Sequence, residues 1–258
     1  MSQLAQSIFA KRAAFYTTSV VHADTAVLER LVELAQPTAT EHVLDVATGT
    51  AHTALAFAPH VAHVIATDIT PEMMAQGEML RAEAGLENLE FRMADAHDLP
   101  FEDAAFDIVT CRRAAHHFVD VAKAMREMTR VLKPGGRLVI DDRSVPEDNF
   151  ADATLNRLDW LHDHSHVRQY RSSEWRSMMQ EAGCKIEAIE TYTKHRPLSA
   201  FTNGIDAVDV AEIESIVAGL SADQRARLNV VEKDGEVYVN HWYITVIGVK
   251  AAQTTREK

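Results

Sequence analysis

The run Val43-Leu44-Asp45-Val46 is apolar but for one acid, and the loop-forming residues Ala47-Thr48-Gly49-Thr50-Ala51 follow it directly. Helix-forming residues come next. This order reads as a buried strand, a tight loop and a helix start. In an open α/β sheet such a loop lies at the carboxyl end of its strand, where backbone N–H groups and the positive helix N-terminus face a ligand. The stretch therefore predicts a nucleoside-type cofactor. A dinucleotide fingerprint would close three glycines on a pyrophosphate, but only Gly49 is present in this stretch. Asp45 would repel a diphosphate and hold a cationic amine. The plainer alternative has Asp45 capping the helix and Gly49 only turning the chain.

Around this stretch the chain alternates. An amphipathic helix is expected near 2–16, with Leu4, Ile8 and Phe9 on one side, broken by Phe15-Tyr16-Thr17-Thr18-Ser19. Asp24 caps a second helix that carries Leu28, Leu31, Val32 and Leu34 and ends at Pro37. Strands then read at 42–46, 61–67, 89–93, 106–111 and 137–141, with helices at 53–58, 71–84 and 119–132 and a turn at Lys133-Pro134-Gly135-Gly136. Alternation at this spacing means right-handed crossovers and a parallel sheet. Beyond Asp142 the pattern changes: helical 148–164, a helix to Glu181, strand 185–192, mainly helical 194–228, a hairpin tip at Asp234-Gly235 and a long strand 236–250. We read 1–258 as one domain: N-terminal helices 1–37, a cofactor-binding half 38–142, a substrate half with a cap 143–235, and an antiparallel edge strand 236–250. Residues 253–258 read as frayed.

Composition narrows the partners. No run of ~18 apolar residues offers a membrane span, and Met1-Ser2-Gln3-Leu4-Ala5-Gln6 lacks a leader signature. The expected location is cytoplasmic, with no membrane partner. A formal net charge of -12 disfavours nucleic acid, which is bound through Lys and Arg. Cys111 and Cys184 fall in separate apolar strands and read as buried thiols. The sequence is compatible with a homodimer.

Ligand contacts are expected only from residues just past each parallel strand. Asp68 follows the second strand, roughly 20 residues beyond the loop, where an acid takes ribose hydroxyls. Asp95-Ala96 follows the third. Any one of these acids could be a turn residue, but three end consecutive strands. Together with Leu99-Pro100-Phe101, Phe106-Asp107 and Leu132-Lys133-Pro134-Gly135-Gly136, these motifs resemble the ordered signature of class I S-adenosylmethionine (SAM) methyltransferases. The small-molecule branch containing quinone-biosynthesis C-methyltransferases is the most similar. The resemblance covers about residues 40–142.

That resemblance implies an α/β, Rossmann-like doubly wound sheet of order 3-2-1-4-5-7-6, strand 7 antiparallel, with a helical cap insertion. It implies SAM as cofactor, held by Asp45, Ala47, Thr48, Gly49 and Thr50 of the loop and by Asp68, Ile69, Met73, Asp95, Ala96, Arg112 and His117. The family's loop carries about three glycines spaced by two, and Ala47 and Ala51 stand at the outer positions here. An alanine there crowds the loop if its φ must be positive. We place Ala51 inside the first helical turn.

Methyl transfer needs alignment and exclusion of water, plus a base only where the acceptor must lose a proton. The acceptor is a small molecule expected over strands 4 and 5, among Tyr16, His116, Asp141, Arg143, His166 and Arg168, with His116 or His166 as general base. A packing role for each histidine is the competing reading. The segment His162-Asp163-His164-Ser165-His166 could ligate a metal, but no matching cluster accompanies it, and no metal is expected. Alternatives to methyl transfer are another SAM-dependent chemistry or a non-catalytic protein of the same fold.

Overall fold

In the computed structural model, which describes residues 3–19 and 22–252, the expected alternation builds a mixed sheet. Its parallel part consists of His42–Val46 (β1), His63–Asp68 (β2), Leu89–Met93 (β3), Phe106–Arg112 (β4) and Leu132–Val145 (β5). Cys184–Pro197 (β7) and Glu236–Lys250 (β9) complete the order β3-β2-β1-β4-β5-β9-β7. The short strands Tyr170–Arg171 (β6) and Val231–Lys233 (β8) pair with β5 and β9. This is the order expected, with the last long strand antiparallel to both neighbours.

One placement differs. The final strand is not an edge: it lies between β5 and β7, and β7 takes the edge. The continuous run Tyr243-Ile244-Thr245-Val246-Ile247 is buried along its whole length, as suits a strand covered on both sides. β7 also runs on to Pro197, past the expected stop at Tyr192. Its polar second half, Thr193-Lys194-His195-Arg196, hid the strand, which is held by pairing with Trp242 to Val239 of β9. The Lys133-Pro134-Gly135-Gly136 turn is absorbed into β5 as an irregularity, between the pairs Phe106 with Leu132 and Ile108 with Arg137.

Alternate strand residues feed the two faces. Leu44, Val46, Val109 and Ile140 pack against helices Val121–Val131 (α5) and Ser172–Glu181 (α7), while Val43, Val64, Ile108 and Val139 pack against Thr25–Ala35 (α2) and His52–Phe57 (α3). Asp24 caps α2 as expected, accepting from Val27 N at 3.3 Å. Gln3–Thr18 (α1) continues through the segment expected to break it. Its buried face is Ala5, Phe9 and Ala13, packed on Met73 of Pro71–Glu83 (α4), whereas Leu4 is exposed. Over the extended ends of β7 and β9 sit Asn149–His162 (α6), Leu198–Phe201 (α8) and Ala207–Ala218 (α9), sharing the cluster of Leu158, Phe201, Ile213 and Val239. Among the described residues no helix is long and apolar enough to cross a membrane. The expectation for 253–258 falls outside the described residues.

Candidate active site

The loop after β1 sets the geometry of the cofactor end. Ala47, Gly49 and Ala51 all have positive φ, at 54°, 56° and 67°. Every second residue is thus left-handed, the positions at which the family's glycines are spaced. Ala51 is the N-cap of α3, not part of its first turn. This changes the expected effect of a glycine there. Ala47 is only half-buried, so Ala47→Gly should relieve left-handed strain and raise stability by about 1 kcal/mol. Ala51 is wholly buried, so Ala51→Gly trades the same relief against about 0.8 kcal/mol of lost methyl burial and should be near neutral. Urea midpoints of the two variants check both; a destabilised Ala47→Gly would contradict the strain argument.

Register then brings the acids together. Asp45 lies opposite Thr110, whose hydroxyl donates to its carboxylate at 2.6 Å, and Thr48 Oγ1 donates from the loop at 2.5 Å. Asp45 is 1% exposed, and burial raises its pKa to about 6 despite these hydroxyls. Among the described residues no cation forms an ion pair with it. Asp68 accepts from Gly49 N at 2.9 Å and Thr70 N at 2.8 Å, so it ties the loop to the end of β2.

A cavity with an empty volume of about 1150 Å³, counting its open mouth, runs from this loop to β9. Its wall includes Asp45, Ala47, Thr48, Gly49, Thr50, Asp68 and Met73. Arg112 and His117 complete the part of the expected cofactor set found there. Tyr16, His116, Arg143 and His166, expected around the acceptor, line the same cavity. Five expected residues are not on its wall. Ile69 turns its carbonyl to the Gln6 side chain of α1, Asp95 accepts from His97, and Ala96 is packed into the core. Asp141 is fully buried beneath the cavity, accepting from Tyr192 and Thr245 at 2.9 Å each. Arg168 is drawn away by the carboxylates of Asp152 and Glu174.

His116 sits in a short 3-10 turn, Ala115–His117, after β4. Its Nδ1 hydrogen-bonds to the Asp142 carboxylate, and its backbone N donates to the same group at 3.0 Å. Burial would raise the pKa of Asp142, but the His116 charge and hydrogen bond hold it below the usual carboxylate value. The His116 carbonyl accepts from Val167 N and Arg168 N at 2.9 and 3.1 Å, which seats the segment after α6. His117 is fixed by Ser165 and held near pKa 3 by burial and by neighbouring His116. His166 bonds through Nε2 to Asn156 Oδ1 at 3.0 Å, and burial lowers its pKa to about 4. The other histidines of that segment diverge: His162 bonds to the Phe201 carbonyl, and His164 stacks on Trp160 beside Asp209.

Sequence reasoning missed Asp159, Arg196 and Tyr243, which with Arg113 line the far half of the cavity. Arg113 follows Arg112 directly and was within reach of the strand-end rule. Arg196 was not, because it depends on how far β7 extends, and Tyr243, inside the expected final strand, reaches the cavity because that strand lies beside β5 and is not the edge.

The donor set suits the amino-acid end of SAM. Asp45 offers an anion without an ion-pair partner, and Arg112, bonded to Thr53 and the His22 carbonyl, keeps a buried Nη1 with no acceptor among the described residues. An ammonium and a carboxylate on one carbon answer both. Asp68 keeps lone pairs for ribose hydroxyls beside its two backbone bonds.

Comparison with known proteins agrees. A family profile described as a methyltransferase domain matches residues 44–140. An uncharacterized methyltransferase of Bacillus subtilis, YcgJ, is 45% identical over 184 residues, 71% of this chain and 73% of its own. Its crystal structure superposes with TM-score 0.82 at 35% identity, covering 87% of this chain and 97% of that one. A solved structure from Bacillus halodurans C-125 gives TM-score 0.84 at 32% identity over 87% and 99% of the two chains. Demethylmenaquinone methyltransferase of Clavibacter sepedonicus is 44% identical over 110 residues, 43% of this chain and 44% of its own. The strand-end acids, the loop between them and these relatives converge: the chain belongs to the SAM-dependent methyltransferases.

Proposed function

We propose that this enzyme methylates a small-molecule acceptor at O, N, S or C, with His116 removing the acceptor's proton. The observation that carries the reading is the His116–Asp142 pair in the cavity wall. SAM supplies a methyl group on a sulfonium, an electrophile already activated. The protein's part is to hold, align and desolvate. Asp142, by accepting from Nδ1, fixes the tautomer that leaves Nε2 as the proton acceptor, and it stabilises the imidazolium formed. His166 has no carboxylate on its ring and donates to Asn156, so it serves as a neutral wall rather than as the base. Phe9 and Tyr16 of α1 roof the cofactor end and exclude water. The likeness to demethylmenaquinone methyltransferases lies within less than half of the chain, so the acceptor is read from this chain's own arginine-rich wall.

Incubation with methyl-labelled SAM and a panel of phenols, amines, thiols and acidic carbons, reading labelled product and S-adenosylhomocysteine, tests the proposal. Label appearing in a panel compound supports it. Cofactor bound at stoichiometry without label transfer to any of them would favour another SAM-dependent chemistry.

Cofactor affinity should depend on pH through Asp45. Its folded pKa of about 6 lies above the ordinary 3.8, so lowering pH through about 6 neutralises the anion that meets the ammonium. Affinity should fall on that side and level off above it. Calorimetry between pH 5 and 8 checks the sign, and Asp45→Asn should flatten the profile. The same shift gives the free protein the opposite trend in stability: the native state holds the extra proton between the two pKa values, so Asp45's contribution rises as pH falls through that window.

A further inference from the structure

The far half of the cavity contains more guanidinium than its carboxylates engage. Arg113 lies with its Nε 3.5 Å from Asp141 and donates from Nη2 to Tyr192 at 3.1 Å, its guanidinium 4.1 Å over the Tyr243 ring. Arg143 pairs with Asp159 at 2.5 Å but keeps a buried Nε that meets no acceptor among the described residues. Asp163, the remaining carboxylate on that side, is turned to Ser165 N and Oγ. Apart from its place opposite Val239 in the β7–β9 ladder, Arg196 forms no side-chain hydrogen bond or ion pair with any described residue. Alternate residues of β7 make the contrast plain. Tyr192 donates to Asp141, Lys194 is ion-paired with Asp24, and Arg196, next on the same face, has neither.

An unpaired guanidinium on a half-buried strand is costly unless an anion meets it. Burial, with the charges of Arg143 and Arg113, lowers the pKa of Arg196 despite the opposing pull of Tyr243 and of the Asp159 carboxylate, which is already paired with Arg143. Histidines cannot supply the counter-charge. An imidazole is neutral or cationic and never an anion, and burial holds both His162 and His241 below the ordinary histidine value.

We infer that Arg196, together with the unmet Nε of Arg143, binds an oxyanion of the acceptor, a carboxylate or a phosphate monoester. The planar fork of a guanidinium matches either in a two-point contact. The inference rests on the reading that this half of the cavity receives the acceptor. It makes Arg196 a specificity residue: an acid enters with its charge at β7 and its nucleophile toward His116, whereas the neutral ester of the same acid leaves the guanidinium unmet.

The test uses the full-length protein saturated with S-adenosylhomocysteine. Calorimetry compares 4-hydroxybenzoate with its methyl ester, and phenyl phosphate with phenol, on wild type, Arg196→Gln and Arg196→Lys. In wild type at least one anion should bind about tenfold or more tightly than its neutral partner, and which pair responds tells carboxylate from phosphate. Arg196→Gln should abolish that preference and leave affinity for the neutral compound and for S-adenosylhomocysteine unchanged, while Arg196→Lys retains part of it. Without an acceptor, Arg196→Gln should melt at or above the wild-type temperature, because an unpaired charge has been removed. Equal binding of anion and neutral partner in wild type would overturn the inference, as would a preference that survives in Arg196→Gln. Turnover is read separately. Arg196-dependent binding without label transfer from SAM counts against methyl transfer and leaves the oxyanion site standing; turnover of neutral acceptors with no preference for acids does the reverse.

Discussion

His116→Gln is expected to slow methyl transfer by about 10²–10⁴-fold, the usual contribution of a positioned general base, with cofactor affinity unchanged. The glutamine amide can still donate to Asp142, so the turn after β4 should keep its place, and only proton removal is lost. The loss should shrink along a series of acceptors of increasing acidity. An acceptor already ionised at the assay pH has no proton to give, so its transfer rate should be nearly the same in variant and wild type. A uniform loss across the series would point instead to misplaced acceptor. His166→Gln supplies the control, with at most a modest change because its ring is committed to Asn156.

For Asp68→Ala the expected result is a loss of about tenfold to a hundredfold in SAM affinity, measured calorimetrically. The structure adds a cost that sequence reasoning did not foresee. Asp68 holds Gly49 N and Thr70 N, both against the body of the protein. Removing it leaves those donors unmet and should destabilise the fold by about 1–3 kcal/mol, seen as a lower urea midpoint. Affinity and stability should fall together. A variant that loses stability yet binds SAM as tightly as wild type would show that Asp68 serves the loop and not the ribose.

The cofactor half was legible because its signals are local. An acid ends β1, an acid ends β2, and Gly49 lies between them, so strand period and loop chemistry sufficed to place Asp45, Gly49 and Asp68 on one wall. Asp95 shows the limit. It was placed by position past β3, yet its carboxylate turns to His97, a contact that period and spacing do not encode. The acceptor half was less legible. Asp141 and Asp142 are adjacent, and strand alternation sends their carboxylates to opposite sides, one beneath the cavity toward Tyr192 and one to His116. The sequence carries no mark of which is which. Arg168 was misplaced because its partner Asp152 comes from another turn of the chain, and Arg196 was missed because a polar alternation of Thr, Lys, His and Arg reads as loop until β9 is seen to pair with it.

The carbonyl of His116 accepts two N–H groups from the segment after α6, while its ring answers to β5. The proposed base is therefore a junction between the sheet and the chain that covers it. Displacing Val167 and Arg168 withdraws both donors from the carbonyl and frees the turn that aims the imidazole. The aim of the imidazole is then set from two sides, by β5 through Asp142 and by the segment after α6 through the carbonyl. Because both donors are backbone N–H groups, a substitution acts directly on this seat only if it removes one of them, as Val167→Pro would, and it does so without touching either substrate.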